Sequence, residues 1–472
     1  MKKKNKENII FENVLVEDFA SEAKCISRID DKVIFIDGPV APGDTADLRV
    51  TKSKKSFYEA TAFNIKPNST FRTNTICSHF GTCGGCKWQH IDYATQLAFK
   101  TKQVTDSLER IAKVDLPPIL PILGSSETFY YRNKLEFTFS QNRWLTIEEI
   151  NSGKEFSRNA LGFHVPKRYD KILQVDHCYL QPDPSNKIRT ALHELAQKHN
   201  IDYYEQVKQE KGALRNLIIR NASSGDLMVI VQFAYCTEEQ IDLVMNFLAE
   251  NFPEITSLNY IINTKGNDTF FDLEVVNFKG LPYITEEMEG LKFRVGPKSF
   301  YQTNSKQAFE LYKITREYAG LTGEEFVYDL YTGTGTIANF VARQAKKVIG
   351  LEYVEMAVED AKVNSQINGI SNTEFYAGDM RKLLDNEFIN QKGRPDVVIT
   401  DPPRAGMDEP VVQTLLNAEP HTIVYVSCNP ATQARDLALL DLKYQVTAVQ
   451  PVDMFPQTHH VENVVKLVKR NN

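Results

Sequence analysis

Tyr425-Val426-Ser427-Cys428-Asn429-Pro430 sets one cysteine just past the apolar run Ile423-Val424-Tyr425-Val426. Such a run, closed by a breaker, reads as a buried strand. Pro430 cannot continue a central strand, so the chain turns there. The thiol then stands at a strand's C-terminal edge, where open α/β sheets gather ligands. Val398-Ile399-Thr400-Asp401-Pro402-Pro403-Arg404 repeats the arrangement with a carboxylate. Tyr328-Asp329-Leu330-Tyr331-Thr332-Gly333-Thr334-Gly335-Thr336 repeats it with a glycine-rich turn. Strands are predicted near 326–331, 346–351, 373–376, 396–400 and 422–427, with helices between them and one before them near 303–319. This alternation predicts a doubly wound, Rossmann-like α/β domain over residues 291–472.

Upstream the pattern changes. Residues 1–67 hold five short alternating runs: 9–11, 14–16, 32–36, 45–50 and 57–63. Asp37-Gly38-Pro39 and Ala41-Pro42-Gly43-Asp44 punctuate them, as in a small oligonucleotide-binding type of barrel. Residues 68–290 mix strands and helices as a central α+β domain. Within it, Tyr93, Leu97, Val104, Leu108 and Ile111 mark the apolar stripe of a helix over 92–113. The run Tyr130-Tyr131-Arg132-Asn133-Lys134 interleaves aromatic and basic side chains, which suits a strand edge and also RNA stacking.

Cys77, Cys83 and Cys86 follow a C-x5-C-x2-C spacing, and clustered thiolates suit zinc or an iron–sulfur cluster. Gly84 and Gly85 let the backbone wrap close to a bulky centre. The best fourth ligand is Cys178, with His79 or His177 next. Seven cysteines, an odd number, argue against a disulfide framework. The net charge of -6 does not advertise nucleic-acid binding, although charge distribution decides that question. No stretch approaches the roughly 18 apolar residues of a membrane span. The basic start Met1-Lys2-Lys3-Lys4-Asn5-Lys6 lacks the apolar core of a secretory signal and reads as a solvated tail. A cytoplasmic protein is expected.

The three strand ends suggest one pocket. Gly333 and Gly335 bring backbone close to a ligand, and Glu352, 17 residues past Gly335, suits a ribose diol. Asp379 lies where an adenine edge can be held. Without a phosphate cradle, S-adenosylmethionine fits better than NAD. Asp401 can accept a hydrogen bond from a base N–H, and Arg404 can pair with a phosphate or an internal acid. A D-P-P loop also serves amine methylation, which needs no nucleophile. C5 of a pyrimidine needs one: a thiolate on C6 makes C5 enolate-like. Cys428 fits that task, and a base must then remove the C5 proton. Glu462 is the best candidate, with His460 and His459 as rivals.

These motifs resemble the RNA uracil-5 methyltransferases over nearly the whole chain, closest to the 23S rRNA (uracil-5-)-methyltransferases with a TRAM domain and an iron–sulfur cluster. The resemblance implies a TRAM barrel over 1–67, a [4Fe–4S] cluster on Cys77, Cys83, Cys86 and Cys178, and RNA as partner, with 23S rRNA ahead of the tRNA T-loop. Phe300-Tyr301-Gln302-Thr303-Asn304 is similar to the family's F-x-Q-x-N. There the resemblance implies a donor contact at Gln302, and it further implies donor contacts at Tyr331, Thr336, Glu352, Asp379 and Asp401, with Cys428 as nucleophile and Glu462 as base. It also suggests that the helix over 92–113 packs on the catalytic domain. The turn Tyr331–Thr336 departs from the family pattern, where many members carry a cysteine after the aromatic residue. A monomer is expected.

Overall fold

The computed structural model describes residues 9–471. The basic start at Lys2–Lys6, expected to be a solvated tail, lies outside the described residues.

The N-terminal sheet has six strands, in the order Ile10–Leu15, Thr45–Ser53, Phe57–Lys66, Lys32–Asp37, Cys25–Ile29 and Asp18–Phe19. Alternation buries Ile34, Ile36, Ala46 and Leu48 on one face. The runs expected as two strands at 9–11 and 14–16 form one strand, broken only by a bulge between Phe11 and Val14. Cys25–Ile29 was not expected as a strand, because Ser27 and Arg28 interrupt its apolar run. Trp88 and Ile91, from beyond the cysteine segment, complete this core.

The central sheet has eight strands around Leu214–Asn221 and Leu227–Phe233. The C-terminal sheet has seven, ordered Thr373–Ala377, Lys347–Glu352, Phe326–Leu330, Val397–Thr400, Thr422–Ser427, Glu462–Lys469 and Tyr444–Val452. The first five run parallel, and Glu462–Lys469 pairs antiparallel with both of its neighbours, Thr422–Ser427 and Tyr444–Val452. Helices cover both faces, so the parallel strands read as continuous apolar runs.

The helix expected over 92–113 is an α-helix from Tyr93 to Ser107 followed by a π turn from Leu108 to Ala112. Asp92 caps it, accepting the Thr95 N–H at 2.9 Å. It packs on the helix Pro430–Leu440 and the strand Tyr444–Val452 of the C-terminal domain. Its buried face differs from the apolar stripe. Gln96, Lys100, Val104 and Leu108 are buried, whereas Ile111 is exposed. The π turn rotates Ile111 outward, and Gln96 and Lys100 face polar partners in the loop 453–458.

Candidate active site

The strand Phe326–Leu330 delivers Tyr331 into a left-handed conformation, with φ of 61°. A non-glycine residue rarely holds that geometry outside a constrained site. Gly333 follows at φ 55°, and a Cβ there would meet nothing within 4 Å. That open side is where a ligand can approach the turn. Thr336 begins the next helix; it is buried, and its hydroxyl lies 3.3 Å from that of Thr334. Glu352 ends the neighbouring strand and closes the turn. It accepts the Gly333 N–H at 3.0 Å, and those of Tyr353 and Val354 at 2.8 and 3.0 Å. Asp379 is less free than its expected adenine contact suggests. It accepts the Arg381 N–H at 3.0 Å and pairs with the Arg381 guanidinium at 2.8 Å.

Asp329 is fully buried at the same strand end. One carboxyl oxygen accepts Thr332 Oγ1 at 2.5 Å and the Ala338 N–H at 3.0 Å, and the other is unpartnered. Burial pushes its carboxyl up to about 7. Asp401, one strand over, is also pushed up to about 7 by burial. Among the described residues, no hydrogen bond engages the Asp401 side chain. Two reluctant carboxylates and an open glycine turn suit a cationic, hydrogen-bonding ligand.

Cys428 leaves the strand Thr422–Ser427 just before a helix capped by Asn429. Asn429 Nδ2 and Thr432 Oγ1 both donate to Arg404 O, at 3.0 and 3.2 Å, tying the cysteine loop to the Asp401–Arg404 loop. Glu462 opens the adjacent antiparallel strand and is 5% exposed. These groups feel one another. Burial pushes the Cys428 thiol up to about 11, with Glu462 and Asp401 adding to the effect and Arg404 opposing it. Burial raises the Glu462 carboxyl well above the usual range, again with Asp401 adding and Arg404 opposing. Arg404 stands exposed at the mouth and makes no salt bridge among the described residues. His459 and His460 are pushed down to about 3 and about 4 by burial, so both are neutral near pH 7.

Gln302 is held from the central domain, its carbonyl accepting Asn133 Nδ2 at 2.9 Å. Its side chain meets Tyr312, a residue that no sequence motif singles out. Tyr312 is 5% exposed and sits in the field of Asp401, Asp329 and Glu462. An aromatic on an amphipathic helix reads as core, so its sequence signal was indistinguishable from packing.

A cavity of about 660 Å³ is lined by Cys428, Glu462, Arg404 and His460 together with Cys77, Cys83, Cys86 and Cys178. Nothing in the local sequence puts these two sets in one cavity. Arg132 and Lys134, from the aromatic–basic run, also line it, with the buried Arg220. All four thiols are free, and burial raises each of them. The Gly85 N–H points at Cys83 Sγ, 3.5 Å away, and a Cβ on Gly85 would lie 3.7 Å from that sulfur. His79 instead accepts the Asp176 N–H at 2.9 Å, and His177 contacts the Tyr130 hydroxyl at 3.1 Å. Among the described residues, no three of these side chains form a group tight enough to hold a single metal ion.

The sequence model described as tRNA (Uracil-5-)-methyltransferase matches residues 257–470, and that of the TRAM domain matches 12–63. A Bacteroides thetaiotaomicron protein named uncharacterized RNA methyltransferase is 58% identical, over 96% of this chain and 100% of its own. A Chlorobaculum tepidum protein of the same description is 38% identical, over 95% and 94%. Among solved structures, the Pyrococcus abyssi tRNA (uracil-54, C5)-methyltransferase in complex with S-adenosyl-L-homocysteine superposes with a TM-score of 0.74. It is 26% identical and covers 97% of this chain and 100% of its own.

Proposed function

The chain belongs to the RNA uracil-5-methyltransferase family with a TRAM domain, and from that premise we propose that it methylates C5 of a uridine in 23S rRNA through a Cys428–C6 adduct. It is an S-adenosylmethionine-dependent RNA methyltransferase. One observation carries the mechanism: Cys428, Asp401 and Glu462 sit within one another's fields, Cys428 and Glu462 on a single cavity.

Tyr331, Thr336, Glu352, Asp379, Asp401 and Gln302 would hold the donor around the open Gly333 turn. S-adenosylmethionine supplies an electrophilic methyl carbon on a sulfonium. Cys428 gives up its proton and its thiolate adds to C6 of the uracil; the C5=C6 electrons shift onto C5, which bonds the methyl carbon as the S–CH3 bond breaks and S-adenosylhomocysteine leaves. A thiol near 11 is protonated at neutral pH, so ionisation waits on cationic neighbours, of which Arg404 is one. Glu462 then removes the C5 proton; the C5–H electrons re-form the C5=C6 bond, and the C6–S bond breaks to free Cys428. Burial raises the proton affinity of Glu462 and lowers that of His459 and His460, so an ionised Glu462 is the strongest base of the three.

Four free thiols lining one cavity, with the Gly85 backbone close against Cys83, suit a [4Fe–4S] cluster held by Cys77, Cys83, Cys86 and Cys178. Such a cluster would order that part of the cavity. Brown colour with iron and sulfide after anaerobic purification supports this assignment; a colourless zinc protein sinks it.

The TRAM domain and the cysteine set favour rRNA over tRNA, and the protein is read as a cytoplasmic monomer. A second target, the tRNA T-loop uridine, is favoured by the likeness to the Pyrococcus abyssi tRNA (uracil-54, C5)-methyltransferase. Mapping 5-methyluridine in rRNA and tRNA from cells lacking the protein decides between them. A rival reading, an assembly protein without catalysis, predicts no lost methyl mark in either RNA.

A further inference from the structure

A buried polar strap ties the helix Tyr93–Ser107 to the loop that precedes Glu462. That loop, residues 453–461, joins the strands Tyr444–Val452 and Glu462–Lys469. It contributes Phe455, Thr458 and His460 to the cavity wall. At its start, Asp453 accepts Lys100 Nζ at 2.6 Å, the Tyr93 hydroxyl at 2.9 Å and the Phe455 N–H at 3.0 Å. Lys100 Nζ also donates to Phe455 O at 3.0 Å. In mid-loop, the Gln457 N–H donates to Gln96 Oε1 at 2.9 Å, and Gln96 Nε2 donates back to Gln457 Oε1 at 3.1 Å. Gln457 O accepts the N–H groups of Lys87 and Trp88 at 2.8 and 2.9 Å, so the chain just past Cys86 is anchored there too.

Lys100 and Asp453 are wholly buried, Gln96 is 1% exposed and Gln457 is 5% exposed. Apolar side chains of similar volume would stabilise such a joint at least as well. What the polar network adds is a fixed loop geometry. The Glu462 backbone is already held by the sheet, where it pairs with Val452. Its carboxylate lies in the field of Asp401 and Arg404 and shares the cavity with Phe455, Thr458 and His460 of the loop.

We infer that Tyr93, Gln96 and Lys100 are positioning residues for the base: through Asp453 and Gln457 they hold the loop 453–461, which runs directly into Glu462 and lines the cavity with it. This rests on Glu462 being the base. The step at stake is removal of the C5 proton from the methylated adduct, with release of Cys428. Thiolate addition and methyl acceptance draw on Cys428 and Asp401, which the strap does not touch. Loosening the strap therefore slows release of the adduct rather than its formation.

The test incubates the full-length protein with methyl-tritiated S-adenosylmethionine and total RNA from cells lacking it. Denaturing gels then show whether label stays on protein. Glu462→Gln should keep label on the protein. Tyr93→Phe, nearly isosteric, and Gln96→Leu should keep label on the protein at about tenfold the wild-type level, the scale expected of a slightly misplaced base. If Glu462→Gln carries no label, the base reading fails and the inference falls with it. If Glu462→Gln is labelled while Tyr93→Phe, folded by circular dichroism, releases methylated RNA as the wild type does, the strap is only a structural joint. Loss of activity in Tyr93→Phe with no labelled protein overturns the positioning role in the same way.

Discussion

On the proposed mechanism Cys428 carries the chemistry, and it is poorly disposed to it alone. Its thiol is pushed up to about 11 by burial, with two nearby carboxyls adding to the effect. Cys428→Ala should abolish methyl transfer and also the denaturation-resistant adduct formed with 5-fluorouridine RNA, which has no C5 proton to lose. An amine methyltransferase using the same Asp401 loop would tolerate that substitution. Asp401 bears on stability as well. Its folded-state pKa, about 7, lies above the ordinary 3.8. Its protonated form therefore favours the fold fully below about pH 4, and this contribution is lost as pH rises toward 7. Asp401→Asn removes that dependence. Ligand-free wild-type protein should lose more melting temperature between pH 4 and pH 8 than the variant does. Asp329 and Glu462 shift in the same direction and keep part of the slope in both proteins. Equal slopes would mean that Asp401 is not protonated in the fold.

Individual elements show where local pattern is enough and where it is not. Asn304 caps the helix Ser305–Ala319 by accepting the Gln307 N–H at 3.2 Å, and its amide donates to Met454 O at 3.0 Å. Asn304→Ala should cost about 1 kcal/mol from the cap alone, read by urea denaturation. The helix Tyr93–Ser107 shows the opposite case. Gln96 and Lys100 look like solvent-facing residues, and their partners lie 361 and 353 residues away. Lys100→Met should destabilise by about 3–5 kcal/mol, because it strands the buried Asp453 charge. Adding Asp453→Asn should recover much of that loss. If Lys100→Met is neutral in denaturation, the pair is not buried as described.

At the scale of the molecule, the N-terminal third of the chain supplies part of the C-terminal core: Val104, Leu108 and Ala112 pack with Tyr328, Leu330, Ile349 and Tyr425. A fragment of residues 291–472 lacks that cover and should expose apolar surface, read as dye binding and a lost near-ultraviolet dichroism signal. The parallel strands were legible in the chain alone, because a sheet covered on both faces buries every residue of a strand and writes it as an unbroken apolar run. Cys428 and Asp401 were legible as strand ends because a proline follows each within two residues, and Glu352 because it closes the strand after the Gly333–Gly335 turn. The antiparallel strand Tyr444–Val452 was less so, since its solvent-facing positions interrupt the run. It took the folded molecule to bring the thiols Cys77, Cys83, Cys86 and Cys178 into one cavity with Cys428, and to bury Gln96 and Lys100. Apolar burial follows a local period, whereas a buried polar group is stable only beside its partner, and nothing in the local sequence says where that partner lies.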